Sequence, residues 1–186
     1  MARKQKKERA CPFKVVIDSN EGAPAYRFDN LKDRDGRLWK VETAKQALWA
    51  TGVKTYEIKG TLHRVGLADY SIVGYEELFQ VERKTLSDLY GSLGNSRNRM
   101  EARIARLNEC EIAYLMIEAS WKTIMAGYEF SEVHPNSIEG ALLAWSHRYP
   151  RVHVMTATDA IHAERITFNL MRHFWRSKQR RVGEML

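Results

Sequence analysis

Short apolar runs alternate with longer amphipathic stretches along the chain. Continuous apolar runs predict strands at residues 13–19, 112–117 and 152–155, and the second run is typical of a strand buried on both faces. Four ranges with helical spacing of apolar residues are predicted helices: 39–50, 121–128, 137–149 and 158–178. Strands and helices mixed in this way predict an α/β fold in a single domain.

The most informative pattern is a pair of apolar runs that each carry a carboxylate. Asp69 lies within the first run, and Glu82 follows the second. The two runs predict the strands of a hairpin, and a carboxylate on a buried strand must be paired or hold a cation. Glu82 and Lys84 are two residues apart and point to one face, while Arg83 points to the other. We therefore expect Asp69, Glu82 and Lys84 to converge at one end of a sheet.

Two carboxylates and an ammonium group in one place suit a hard divalent cation that activates water on a phosphodiester. Carboxylate oxygens are the ligands that Mg²⁺ and Mn²⁺ prefer, and a bound cation lowers the pKa of its water. Taken alone, the triplet Glu82-Arg83-Lys84 is also typical of a solvated charged face in a basic chain. The surrounding motifs are needed to choose between these interpretations.

Those motifs resemble the nuclease domain of the XPF family of structure-selective endonucleases. The family signature, G-D-x(n)-E-R-K-x-x-x-D, is matched at five positions: Asp69, Glu82, Arg83, Lys84 and Asp88. Residues 15–21 resemble the opening V-x-V-D-x-R-E strand of the family, and residues 114–118 resemble the strand after its arginine-rich helix. Two positions depart from the pattern, because Ala68 replaces the Gly before the motif Asp and Asn20 replaces the Arg of the opening strand.

The resemblance implies a restriction-endonuclease-like fold, with a mixed central sheet flanked by helices, and a metal-dependent DNA endonuclease of repair or recombination. It places Asp69 and Glu82 as ligands of Mg²⁺ or Mn²⁺, with Asp18 and the Arg83 carbonyl beside them. Lys84 then positions the attacking water, and the products carry a 3′-hydroxyl and a 5′-phosphate. The resemblance further implies a preference for branched or flap DNA and a homodimer formed through the last two helices.

Three further acidic residues have two interpretations each. Asp18 and Glu21 either extend the acidic cluster or are a turn Asp and a surface Glu. The resemblance favours the acidic cluster for Asp18 and, more weakly, for Glu21. Asp88 lies three residues after Thr85, a spacing typical of a helix N-cap, and support of the catalytic motif is compatible with that position.

The formal net charge of +7 is concentrated at the two ends of the chain. Positive ends beside an acidic centre favour a polyanion such as DNA, although basic tails also aid solubility. The predicted DNA-binding residues are Arg97, Arg99, Arg103, Arg106, Arg176, Lys178, Arg180 and Arg181. In the first group, Arg99, Arg103 and Arg106 share one helical face, which is either a phosphate contact or a solvated face paired with glutamates.

Several classes of function find no support in the sequence. Two cysteines without a CxxC motif, no apolar leader and no membrane-spanning run predict a cytoplasmic protein. The chain lacks a phosphate-binding Gly-Lys-Ser/Thr loop, so no nucleotide cofactor is expected. We predict a basic, disordered tail at residues 1–12, a nuclease domain at 13–178 and a second basic tail at 179–186.

Two rival functions remain at this point. A non-catalytic DNA-binding or scaffold subunit would keep the fold without the chemistry, and Asn20 is the residue that favours it. An RNA-binding module would need exposed aromatic platforms, whereas the aromatic residues are interpreted as core.

Overall fold

The computed structural model describes residues 8–22 and 24–184, with side chains described as far as residue 180. The strands are β1 Arg9–Asp18, β2 Trp39–Gln46, β3 Lys54–Ile58, β4 Thr61–Val65, β5 Tyr70–Ile72, β6 Phe79–Lys84, β7 Ile112–Ile117 and β8 Val152–Thr156. The helices are α1 Leu86–Leu93, α2 Arg97–Leu107, α3 Trp121–Ala126, α4 Pro135–Arg148 and α5 Ala160–Glu184, with a short 3-10 helix at Leu48–Ala50.

Six strands form one mixed sheet in the order β2-β1-β5-β6-β7-β8. The pairs β1/β2, β6/β7 and β7/β8 are parallel, whereas β5 is antiparallel to both of its neighbours. The carboxyl ends of β1, β6 and β7 and the beginning of β5 therefore lie at the same edge of the sheet. This edge carries Asp18, Asp69, Lys84 and Glu118.

Helices cover both faces of the sheet, as the α/β prediction requires. Alternate residues of β7 point to opposite faces, because Leu115 and Ile117 pack with α1, α2 and α4, while Met116 packs with α5. These three side chains are fully buried, so the predicted strand buried on both faces is confirmed. The expected single domain with a mixed central sheet is likewise confirmed.

The predicted helix at residues 39–50 is wrong, because this segment forms the edge strand β2 followed by the 3-10 helix. β2 pairs in parallel with β1, and residues 39–41 already alternate buried Trp39, exposed Lys40 and half-buried Val41. Helical and strand spacing are both compatible with so few apolar residues, and the partner strand decides between them.

β3 and β4 form a separate two-stranded hairpin. Its two-residue turn places Lys59 and Gly60 at positive φ angles of 51° and 78°, the backbone that a tight hairpin turn requires. Lys54 and Tyr56 bond to Glu109 just after α2 and fix the hairpin against that helix.

The predicted limits of the folded part are wrong at both ends. β1 begins at Arg9, so residues 9–12 belong to the sheet, and α5 continues to Glu184. The proposed disorder of residues 1–7 concerns a segment outside the described residues. Among the described helices, none combines the length and the apolar character that crossing a bilayer would need.

Candidate active site

Two of the predicted catalytic side chains are in direct contact on β6. The Lys84 ammonium lies 3.3 Å from Glu82 Oε1, and Arg103 Nε of α2 lies 3.5 Å from Glu82 Oε2. Glu82 is buried, with 4% of its surface exposed, as expected for a residue between two covered faces. Its Oε2 atom has no hydrogen-bond partner among the described residues. A buried acceptor in this state is costly unless another ligand reaches it.

Asp69 joins this pair from the neighbouring strand. It directly precedes β5, whose Tyr70 pairs with Val81 of β6, and its Oδ2 accepts a 2.7 Å hydrogen bond from the Arg83 amide. The amide lies between Glu82 and Lys84 in sequence, so Asp69 faces the segment that carries both. The structure therefore brings Asp69 to the backbone between Glu82 and Lys84, and the charges of both side chains act on its carboxylate.

The two carboxylates differ in their electrostatic environment. Burial, with the charges of Glu82 and Glu21 nearby, raises the pKa of Asp69 well above its usual value. Burial acts in the same direction on Glu82, but the cations Arg103 and Lys84 outweigh it and lower the pKa of Glu82. Two acids with opposite shifts, side by side, form a site where added positive charge is favourable.

Lys84 is a stable cation in this arrangement. Burial alone would lower the pKa of Lys84, yet Glu82 and Asp69 raise it above its usual value. The ammonium group therefore carries its charge at neutral pH. It can orient a water molecule or stabilise an anion, but it is a poor base.

Arg83 points away from this cluster, as strand alternation predicted. Its guanidinium donates to Glu118 with distances of 2.7 and 3.2 Å and to Glu21 with a distance of 2.7 Å. Glu21 also accepts a 2.9 Å hydrogen bond from the Tyr70 hydroxyl, and the guanidinium lies over the ring of Tyr26. Although burial opposes the charge, the bonds to Glu118 and Glu21 raise the pKa of Arg83. The network holds the end of β6 in place.

Asp18 lies beside the cluster without joining it. Its amide donates to the Asp69 carbonyl (2.8 Å), so the two backbones are adjacent. Its Oδ1 accepts a 3.2 Å hydrogen bond from the Trp49 amide. Among the described residues, no group of three or more His, Cys, Asp or Glu is placed to hold one metal ion. The structure thus does not place Asp18 in one ligand group with Asp69 and Glu82.

Asp88 belongs to a helix N-cap. The Thr85 hydroxyl accepts the Asp88 amide at 3.1 Å and donates to the Asp88 carboxylate at 2.8 Å. This contact starts α1 directly after the end of β6. The carboxylate thereby supports the motif through the backbone that follows it.

A cleft of about 440 Å³ opens beside Glu82 and Lys84, a volume within the range of ligand-binding sites. Its polar lining is mainly positive. The residues that line it include Asn20, Trp49, Arg64, Ser96, Arg99 and Arg103. Sequence reasoning did not identify Trp49 or Arg64, because both lie outside the motifs. Arg64 lies on β4, so an apparently separate hairpin contributes to the cleft.

The arginines of α2 do not share one exposed face. Arg97 and Arg99 are exposed, and Arg103 is half-buried and donates to the carbonyls of Gly66 and Leu67. The predicted surface position of Arg106 is wrong. Its side chain is 1% exposed.

Arg106 is surrounded by its own chain. It bonds to the Gly52 carbonyl and to the carboxylates of Glu77 and Glu109. Helical spacing correctly places Arg99, Arg103 and Arg106 on one side of α2. The segment before β3 and the loop before β6 cover this side at Arg106. The Arg106 guanidinium therefore stabilises the packing of α2 against the neighbouring segments. It is not accessible to a phosphate.

The basic residues of α5 lie on the other side of the sheet from α2. Arg176 and Arg180 are exposed, whereas Lys178 bonds to Glu111 and lies over the ring of Phe174. Arg181 lies outside the residues whose side chains are described. The two predicted DNA-binding groups therefore do not form a single surface.

Comparisons with known proteins agree with this architecture. A family model described as the ERCC4 domain matches residues 28–170. A search of curated proteins found no match. Among solved structures, XPF from Aeropyrum pernix in complex with DNA is similar, with a TM-score of 0.59 and 18% identity over 89% of this chain and 66% of that chain. XPF from Aeropyrum pernix alone gives a TM-score of 0.55 and 18% identity over 92% and 68%. At this identity the likeness shows the fold.

Proposed function

The chain belongs to the ERCC4 domain family, and we propose that it is a divalent-metal-dependent endonuclease that hydrolyses phosphodiester bonds of DNA. The observation that carries the proposal is the salt bridge between Lys84 and Glu82 in a cleft with a mainly positive lining, together with the hydrogen bond that Asp69 accepts from the Arg83 amide between them. The related archaeal XPF structure described as a complex with DNA supports the choice of substrate.

Asp69 and Glu82 are the residues that would hold Mg²⁺ or Mn²⁺. Two observations fit such an ion. The pKa of Asp69 is raised by burial and by negative neighbours, and Glu82 Oε2 is buried without a hydrogen-bond partner among the described residues. Hard cations prefer carboxylate oxygens of this kind. When bound, the ion would polarise a phosphoryl oxygen and lower the pKa of water.

Lys84 would stabilise negative charge near the reacting phosphate. Its ammonium group is fixed against Glu82, and its pKa is raised, so it keeps the proton at neutral pH. In this state it donates hydrogen bonds to a water or a phosphate oxygen and does not remove a proton. We assign it the positioning of the attacking water.

Arg64 and Arg99 are the candidates for phosphate binding. Both are exposed and line the cleft, whereas the half-buried Arg103 has bonds to the Gly66 and Leu67 carbonyls. Asn20 lies in the same lining and provides an amide in place of a guanidinium. We expect the phosphate contacts of this cleft to depend mainly on Arg64 and Arg99.

The test is incubation of the purified protein with labelled duplex, single-stranded, flap and fork DNA in Mg²⁺, Mn²⁺ or chelator. Glu82→Gln and Lys84→Ala should each reduce the rate of DNA cutting by about 100-fold or more. DNA affinity and the fold should be unchanged in both variants. The matched controls, Glu57→Gln and Lys40→Ala, change exposed residues outside the cleft and should cut like the wild type. Equal cutting rates for Glu82→Gln and wild type would refute the mechanism.

A non-catalytic DNA-binding subunit is the second candidate, and Asn20 in the cleft is the observation that favours it. Calorimetric titration with Mn²⁺ distinguishes the two functions. The endonuclease binds the ion, and Asp69→Asn removes that binding. DNA binding without cutting in either metal, together with no difference between Asp69→Asn and wild type in the titration, would establish the second candidate.

A further inference from the structure

Trp49 is an exposed aromatic residue at the cleft. Half of its surface, 50%, is accessible, although large aromatic side chains are normally covered. It lies in the 3-10 helix Leu48–Ala50 and lines the same cleft as Glu82 and Lys84. Exposure of such a ring beside charged groups suggests a binding role.

The backbone that carries Trp49 is held on three sides. Its amide donates to Asp18 Oδ1, and the preceding Leu48 is 1% exposed and packs with Val16 and Leu67. A Cβ atom on Gly66 would lie 1.7 Å from the Trp49 carbonyl oxygen, so this approach is open only to glycine. The segment is thus fixed while the ring stays accessible, which reduces the entropy lost on binding.

The charges around the ring indicate what it binds. Arg64, Arg99 and Arg103 line the cleft with it, and Asn20 adds a polar amide. Cations that follow a phosphate backbone, combined with an aromatic face, are the chemistry that recognises single-stranded nucleic acid. A fully paired duplex offers no free base face to such a ring, so an unpaired strand is the better partner.

We propose that the Trp49 indole stacks on an unpaired nucleobase of a DNA strand held beside Asp69 and Glu82. The inference rests on the proposed function in that the strand lies in the endonuclease cleft. It adds a base-binding subsite to that function and predicts which strand the cleft accepts. The pair Asp18 and Gly66 positions the ring through the backbone of Trp49.

Binding can be measured without cutting, in a Glu82→Gln background with labelled oligonucleotides. Trp49→Ala should weaken binding of single-stranded DNA by about 5- to 100-fold, the effect of losing one stacked base. Trp49→Phe keeps an aromatic ring and should keep most of the affinity for single-stranded DNA. The affinity of Trp49→Ala for duplex DNA should change by less than about twofold. Phe130→Ala removes another exposed aromatic residue that does not line this cleft and should have no effect.

Oligonucleotides with a single abasic site provide the decisive comparison. The abasic site is moved along the strand one position at a time. At one position it should lower the DNA affinity of the Glu82→Gln protein that keeps Trp49, and leave the DNA affinity of the Glu82→Gln protein with Trp49→Ala unchanged. Equal sensitivity of both proteins at every position overturns the inference, as does equal loss of duplex and single-strand binding in Trp49→Ala. Absence of cutting by the wild type, with the position-specific loss present, contradicts the proposed function and supports the stacking subsite alone.

Discussion

Removing the negative charge of Glu118 tests the network that holds the end of β6. Arg83 has two hydrogen bonds to Glu118 and one to Glu21, and the exposed fractions of these three side chains are only 11%, 7% and 10%. Losing one partner of a buried ion pair costs about 3–5 kcal/mol, and a bond to a charged group contributes about 1.5–3 kcal/mol. Because Glu21 remains, we expect Glu118→Gln to lower the free energy of unfolding by about 2 kcal/mol.

Urea denaturation followed by circular dichroism measures this difference. About 2 kcal/mol corresponds to a decrease in Tm of about 4–8 °C for a chain of this size. Glu57→Gln, which removes an exposed carboxylate from β3, should change the free energy by less than about 0.5 kcal/mol. A double-mutant cycle with Arg83→Gln should give a coupling of at least about 1 kcal/mol. A coupling of zero, or a loss no larger than that of Glu57→Gln, would refute the reasoning.

Three other predictions follow from the fold. Thr85→Ala should lower the free energy of unfolding by about 1 kcal/mol in urea denaturation, because α1 loses the cap that Thr85 and Asp88 form; an unchanged midpoint would contradict this. Arg106→Ala should lower the free energy of unfolding by about 3 kcal/mol and leave DNA affinity unchanged at a temperature where the variant is folded. Arg99→Ala should weaken DNA binding and leave the free energy of unfolding unchanged. The opposite result would place Arg106 on the DNA-binding surface. Burial raises the pKa of Cys110 to about 12, above the value of about 8.5 in the unfolded chain, so the contribution of this thiol to the free energy of unfolding is lost as pH rises from about 8.5 to about 12. The Cys110 thiol should therefore resist alkylation at pH 9 until urea is added. Rapid labelling of Cys110 in the folded protein, measured by mass spectrometry, would disprove this assignment.

The acidic centre could be predicted because its parts are close in sequence. β5 and β6 are neighbouring strands, so two consecutive apolar runs that predict a hairpin are enough to place Asp69 near Glu82. The wrong helix at residues 39–50 has the opposite cause. The partner of β2 is β1, a parallel strand separated from it by a long loop, and its contribution cannot be read from local spacing.

Two side chains show what spacing cannot provide. The position of Arg106 on α2 gives the direction of its side chain, but its burial depends on Glu77 and Gly52, which approach from elsewhere in the chain. The exposure of Trp49 depends on the 3-10 helix and on the space left by Gly66. The predicted homodimer and the cytoplasmic location stay predictions.

The position of β5 between β1 and β6 has a consequence for the order in which the residues around Asp69 and Glu82 come together during folding. Residues 73–78 connect this strand to β6, whereas its pairing with β1 is formed only across a much longer intervening segment. Closing a long segment loses more chain entropy than closing a short one. We expect the β5–β6 hairpin, which carries Asp69 and Glu82, to form early during refolding. β1, which carries Asp18 and through it orients Trp49, should pair with β5 later.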